Sequence, residues 1–117
     1  MRQLVSAFLL FVLSLSAVAQ DAIEIQKPFH SRSLSGIVVD QTGREMPGVL
    51  VERLGPHNNS VQDGRVTDAK GSFSFLGTTK GKHSLKLTKN GWTTIYVIVV
   101  IDKKAKGNLE LMMTIAR

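Results

Sequence analysis

The groups on this chain that could move a proton or hold a metal are three histidines and nine carboxylates, and there is no cysteine. A thiol nucleophile, a thiolate metal site and a disulfide framework are therefore excluded. His30, His57 and His83 fall in a lead-in, a loop and a strand start, and no pair has metal-ligand spacing. His83 alternates with Leu85 and Leu87, which makes it a half-buried histidine at the rim of a core. Asp63, Asp68 and Gly71 suggest an oxygen-ligand calcium loop, but such a loop needs ligands at fixed alternation. Two separated aspartates read more simply as turn formers. Serine and threonine are plentiful, yet no Ser–His–Asp arrangement can be read from their spacing. No catalytic residue, metal site or cofactor is expected.

The elements that hold these side chains come from a chain of 117 residues, 43% hydrophobic and 21% charged. That is globular composition and one small domain at most. Residues 1–19 read MRQLVSAFLLFVLSLSAVA, with Arg2 ahead of an apolar run from Leu4 to Val18 and a small-x-small Ala17-Val18-Ala19. This is the pattern of a signal peptide cleaved after Ala19, and a run of this length falls short of the roughly 20 residues that span a bilayer. The expectation is an exported protein, periplasmic or extracellular, with no transmembrane span in the mature form.

Charge is unevenly placed. Residues 20–69 carry five cations and seven carboxylates, whereas residues 70–117 carry nine cations against Asp102 and Glu110. A basic half implies an acidic partner. Outside the cytoplasm nucleic acid is not that partner, and anionic envelope polymers or lipid head groups fit better.

Residues 20–32 read as an extended lead-in. After them the pattern is strands and turns. Leu34–Asp40 is β-branched and ends at a Gln41-Thr42-Gly43 turn, and Pro47-Gly48 opens Val49–Leu54. Val61–Thr67 follows, then Asp68-Ala69-Lys70-Gly71, which reads as a tight hairpin turn. Ser72–Leu76 and Lys82–Lys89 alternate with period two, and Asn90-Gly91 is the strongest hairpin signal. Trp92–Ile101 and Leu109–Ile115 complete seven strands. With no helical periodicity after residue 19, this predicts an all-β sandwich. Val38, Val49, Val51, Phe73, Phe75, Leu85, Leu87, Ile95, Val97, Val99, Leu109 and Leu111 are its expected core.

Three segments make the pattern more specific. Ser35-Gly36-Ile37-Val38-Val39-Asp40 with Gly43 and Pro47-Gly48-Val49-x-Val51 comes first. Thr67-Asp68-x-x-Gly71-x-Phe73-x-Phe75 is second, and Gly81-x-His83-x-Leu85-x-Leu87 with Gly91-Trp92 is third. In this order they resemble carboxypeptidase regulatory-like domains over about residues 33–115. The resemblance implies a seven-stranded, prealbumin-like (transthyretin-like) Greek-key sandwich that serves as a spacer or interaction unit. One relative of that fold hydrolyses 5-hydroxyisourate, but it carries a histidine where this chain has Ile37 and ends Tyr-Arg-Gly-Ser, where this chain ends Thr114-Ile115-Ala116-Arg117. Isoleucine cannot serve as general base. Intradiol dioxygenases need two tyrosines on iron, and here Tyr96 stands alone. A transthyretin-like hydrolase is therefore a distant third reading.

The resemblance also puts the first, sixth and seventh strands in one sheet. Its outer face would then present Ile37, Val39, Tyr96, Ile98, Val100 and Met112, apolar where a solvated face should be polar. The opposite sheet would present Glu52, Ser72, Ser74, Lys82, Ser84, Lys86 and Thr88. The first expectation is a non-catalytic envelope module that contacts an envelope protein, or a second copy of itself, through that apolar face, unless residues 20–32 fold over it. The alternative is a carbohydrate or anionic-polymer binder using Lys80, Lys82, Lys86, Lys103, Lys104 and Lys106. Trp92 reads as a plug at the core edge or as a sugar platform.

Overall fold

The computed structural model describes residues 22–24, 28–55, 60–106 and 109–116. The signal-peptide reading of residues 1–19 lies outside them, as does His57. Among the described residues the chain forms nine strands: β1 (Ala22–Glu24), β2 (Phe29–Ser31), β3 (Ser35–Asp40), β4 (Leu50–Leu54), β5 (Val61–Val66), β6 (Ser72–Ser74), β7 (Gly81–Thr88), β8 (Thr94–Ile101) and β9 (Leu109–Met113). The lead-in contributes two three-residue strands, β1 and β2. Strands β8, β7, β4 and β5 form an antiparallel ladder in that order, and β1 and β2 both run parallel to β8 along its other edge. A smaller sheet has the order β6-β3-β9. The protein is an all-β sandwich.

Side-chain alternation decides what the sheets enclose. Along β8, every second residue is buried (Ile95, Val97, Val99 and Ile101), as period two demands of a strand with one face on a core. All twelve expected core residues are at most 5% exposed. Leu34, Met46, Ile101 and Met113 join them in the same cluster, with Phe29 and Trp92 packed against it. Trp92 is thus at the core edge. Met46 escapes periodicity because it lies outside any strand; its amide donates to the Val38 carbonyl at 2.9 Å, which turns the chain inward there.

The strand-to-sheet assignment differs from the expected one. Strand β8 belongs with β7, not with β3 and β9, and β6 belongs with β3. The physical reason is connection length. Asn90-Gly91 makes a tight turn, with Gly91 at φ 84° and Trp92 N–H donating to the Lys89 carbonyl at 3.0 Å, so the chain returns directly beside itself. Pairing then runs from Leu87 opposite Ile95 to Gly81 opposite Ile101.

The Asp68–Gly71 turn is not a hairpin but a corner between the sheets. Gly71 has φ 74°, its carbonyl accepts from Val38 N–H at 2.8 Å, and a Cβ there would meet the Val38 carbonyl oxygen at 2.7 Å. Only glycine combines that backbone conformation with that close approach. The turn therefore hands the chain from β5 to the edge of β3, where Ser72 pairs with Ile37 and Ser74 with Ser35.

Candidate functional site

The exchange of β6 and β8 divides the expected apolar face. Ile37, Val39 and Met112 lie on the small sheet, and Tyr96, Ile98 and Val100 on the large one. On the small sheet, Val39 is only 4% exposed, because it stands between Met112 on β9 and Glu45, which bridges back onto β3. Ile37 is half-buried between Ser72 and Glu110, and Met112 is exposed. Ser72 and Ser74 border this patch rather than the lysine-bearing sheet expected for them.

On the large sheet, Tyr96, Ile98 and Val100 are half-buried and alternate along β8. Their cross-strand neighbours on β7 are Lys86, Ser84 and Lys82. The Lys86 ammonium lies 5.9 Å from the centre of the Tyr96 ring, a cation–π contact. The described residues of the lead-in, 22–24 and 28–32, do not fold over this face. They extend the sheet edgewise, with His30 beside Val100.

The aspartates act as local clamps. Asp68 Oδ1 accepts from the Ser72 and Lys70 amides, both at 2.9 Å, and these bonds hold its carboxyl below the usual carboxylate range. Asp40 Oδ1 accepts from the Thr42 hydroxyl at 2.6 Å and from the Thr42 and Arg44 amides, with the same consequence. Asp63 is held low by Arg65, whose guanidinium donates to it at 2.6 Å. Arg65 also lies 5.1 Å from the centre of the Phe75 ring, over the open edge beside β5. His83 is half-buried, and its Nε2 donates to the Thr79 carbonyl at 2.7 Å, since a carbonyl oxygen only accepts.

The charges separate along the strands. The β2–β3, β4–β5, β6–β7 and β8–β9 connections all leave the sandwich at one end, where Ile101 pairs with Ser31 and Gly81, and Ser35 pairs with Ser74. Of the six candidate lysines, Lys80, Lys82, Lys103, Lys104 and Lys106 gather there, all exposed, while Lys86 sits farther along β7 against Tyr96. Arg32 and Arg53, from the half of the chain that is net acidic, join them, and two carboxylates stand at the same end: Asp63, opposite Arg53, and Asp102, whose amide donates to the Ser31 carbonyl. At the opposite end Arg44, Lys70 and Lys89 are offset by Asp40, Glu45 and Asp68. What reads in sequence as a basic half is in space a basic end.

A cleft of about 490 Å³ opens at this end, lined by Arg53, Leu54, Gly55, Gln62, Lys82, His83 and Ser84. Residue alternation along β4 explains Arg53. Val51 pairs with Leu87 and Arg53 with Leu85, so the arginine occupies a core-facing position at the strand's last inward step. Its Nε is buried and has no hydrogen-bond partner among the described residues. Gly55 keeps the wall thin: a Cβ there would meet Gln62 Nε2 at 2.6 Å and Ser60 Oγ at 2.7 Å. The signal that could have found this site in sequence is an arginine continuing the Val49, Val51 alternation.

A family model described as carboxypeptidase regulatory-like domain matches residues 33–114. This covers β3 through β9 and leaves the two strands of the lead-in outside. No curated protein matches the chain.

Proposed function

We propose, from the premise that this chain belongs to the carboxypeptidase regulatory-like domain family, that it is a binding module of the cell envelope whose contact surface is the cationic end of the sandwich and whose ligand is an anionic polymer. The family is one of non-catalytic β-sandwich modules, and a binding role is compatible with it. The observation that carries the choice of surface is the convergence of Lys80, Lys82, Lys103, Lys104 and Lys106 with Arg32 and Arg53, from five different segments, on one end. Cations spread through a sequence need not meet in space. Where they do, the local potential concentrates an anionic partner, and the attraction is screened by salt. Export by the N-terminal segment is part of this reading and makes an envelope polymer the accessible partner.

Retention of the protein on immobilised polygalacturonate, washed at low and then high salt, tests the proposal. Binding at low salt, lost at high salt and lost in the Lys103→Ala/Lys104→Ala/Lys106→Ala variant, is expected. Retention indifferent to salt and to that variant overturns it.

A second reading is supported by the unbroken row of Tyr96, Ile98 and Val100 along β8. There a protein partner would be held by apolar contact, and Ile98→Lys would release it at any salt concentration.

A further inference from the structure

We infer that the Arg53 cleft is a seat for a single acidic sugar unit, a pyranose ring carrying a carboxylate, within the polymer that the cationic end attracts. The inference rests on the preceding proposal and deepens it. The surface lysines supply long-range attraction without shape. The cleft supplies a built recess, and three features of it point to this chemistry.

The first is Arg53. A guanidinium is a planar fork that matches a carboxylate with two parallel hydrogen bonds. Asp63 is the acid whose charge Arg53 helps to stabilise, but its carboxylate is already engaged by Arg65 at 2.6 Å. The Arg53 Nε is left buried with no acceptor among the described residues. A carboxylate entering beside it supplies the acceptor that position lacks.

The second feature is the remaining lining. Lys82 adds a second cation from the outward side of β7. Gln62 and Ser84 offer neutral donors and acceptors of the kind that sugar hydroxyls pair with. Among the described residues the His83 imidazole, tied through Nε2 to the Thr79 carbonyl, is the one ring that lines the cleft. Without a Trp, Tyr or Phe platform for a neutral sugar, the carboxylate provides the main anchor.

The third feature is size. At about 490 Å³ the recess falls within the roughly 300–1,000 Å³ typical of small-molecule sites. That is more room than a bare inorganic anion fills.

Titration of the isotopically labelled full chain with galacturonic acid, galactose and inorganic sulfate, followed by amide NMR shifts, tests the inference. Galacturonic acid is expected to move Gly55, Gln62 and Ser84 together. Galactose should leave them still, and sulfate should act only at higher concentration. Arg53→Lys, which keeps the charge but loses the fork, is expected to weaken galacturonic acid at least tenfold while the Trp92 signal stays native. Ser84→Ala, on the other side of the recess, should weaken it by a smaller factor and guards against a folding defect in the arginine variant. Shifts confined to the lysine-bearing turns, equal shifts with galactose, or an unchanged affinity in folded Arg53→Lys overturn the inference. The two proposals fail separately. If the polymer is retained through the lysines but Arg53→Lys changes nothing, the cleft is wrong and the cationic end stands. If galacturonic acid moves the cleft but the polymer is not retained, the reverse holds.

Discussion

Thr67 and Val49 hold each other by two hydrogen bonds: the Thr67 amide donates to the Val49 carbonyl at 2.9 Å, and the Val49 amide donates to the Thr67 hydroxyl at 2.9 Å. That hydroxyl also donates to the Met46 carbonyl at 2.7 Å. Both residues are buried, at 4% and 0% exposure. One side chain therefore closes the irregular stretch before β4 onto the end of β5. It satisfies polar backbone groups that would otherwise be stranded beside the core.

Thr67→Val keeps the shape and removes the hydroxyl, leaving the Val49 amide and the Met46 carbonyl unpaired. The expected loss is about 1–3 kcal/mol in urea denaturation. Thr67→Ser should retain most of the stability. Equal losses in the two variants would show that the methyl group, not the hydroxyl, matters at this position.

Gly36 lies against the Leu109 backbone where β3 and β9 run side by side, and a Cβ there would fall 2.7 Å from the Leu109 Cβ as well as overlapping its carbonyl oxygen. Backbone cannot yield as a flexible side chain can. Gly36→Ala is expected to cost about 1–3 kcal/mol through overpacking. A thermal midpoint unchanged from the parent protein would refute the close approach.

Asp68 and Asp40 give stability a definite pH direction. Hydrogen bonds to the charged form lower each folded pKa below the unfolded value of about 3.9. Their contribution is therefore fully present above that value and is lost as pH falls through the folded pKa. Asp68→Asn should melt below the parent protein at neutral pH, and the gap between them should narrow as the solution is acidified below about pH 4. A gap that widens on acidification would reverse the sign and remove this account.

Strands β1 and β2 cover the edge of β8. Deletion of residues 22–31 uncovers a row of unpaired backbone groups along an eight-residue strand, and such edges template association. The deletion variant is expected to form concentration-dependent oligomers in light scattering under conditions where the intact chain does not. If it stays as the parent does, the edge is protected by other means.

Twelve core residues, from Val38 to Leu111, were legible in sequence because burial on one face of a strand leaves a period-two record that needs no knowledge of what lies opposite; Leu34, Met46, Ile101 and Met113 were not among them. The turn chemistry was legible too: Asn90-Gly91 marks a hairpin in the chain and makes one in the fold. The Asp68–Gly71 turn was only half legible. Its residues show that the chain bends, but whether the next strand pairs with the last one or crosses to another sheet depends on Gly71 meeting the Val38 backbone, a contact between residues far apart in sequence.

The candidate surface follows the same division. By itself the sequence determined an all-β sandwich, its core, its family resemblance and an excess of cations, since each rests on residue type and local spacing. Only the tertiary structure decided that Tyr96, Ile98 and Val100 stand apart from Ile37, Val39 and Met112, and that Arg32 and Arg53 share an end with the lysines. The reason is that sheet membership and the end at which a loop emerges depend on which strands hydrogen-bond to which. That is a property of pairs of distant segments, and no single segment carries it.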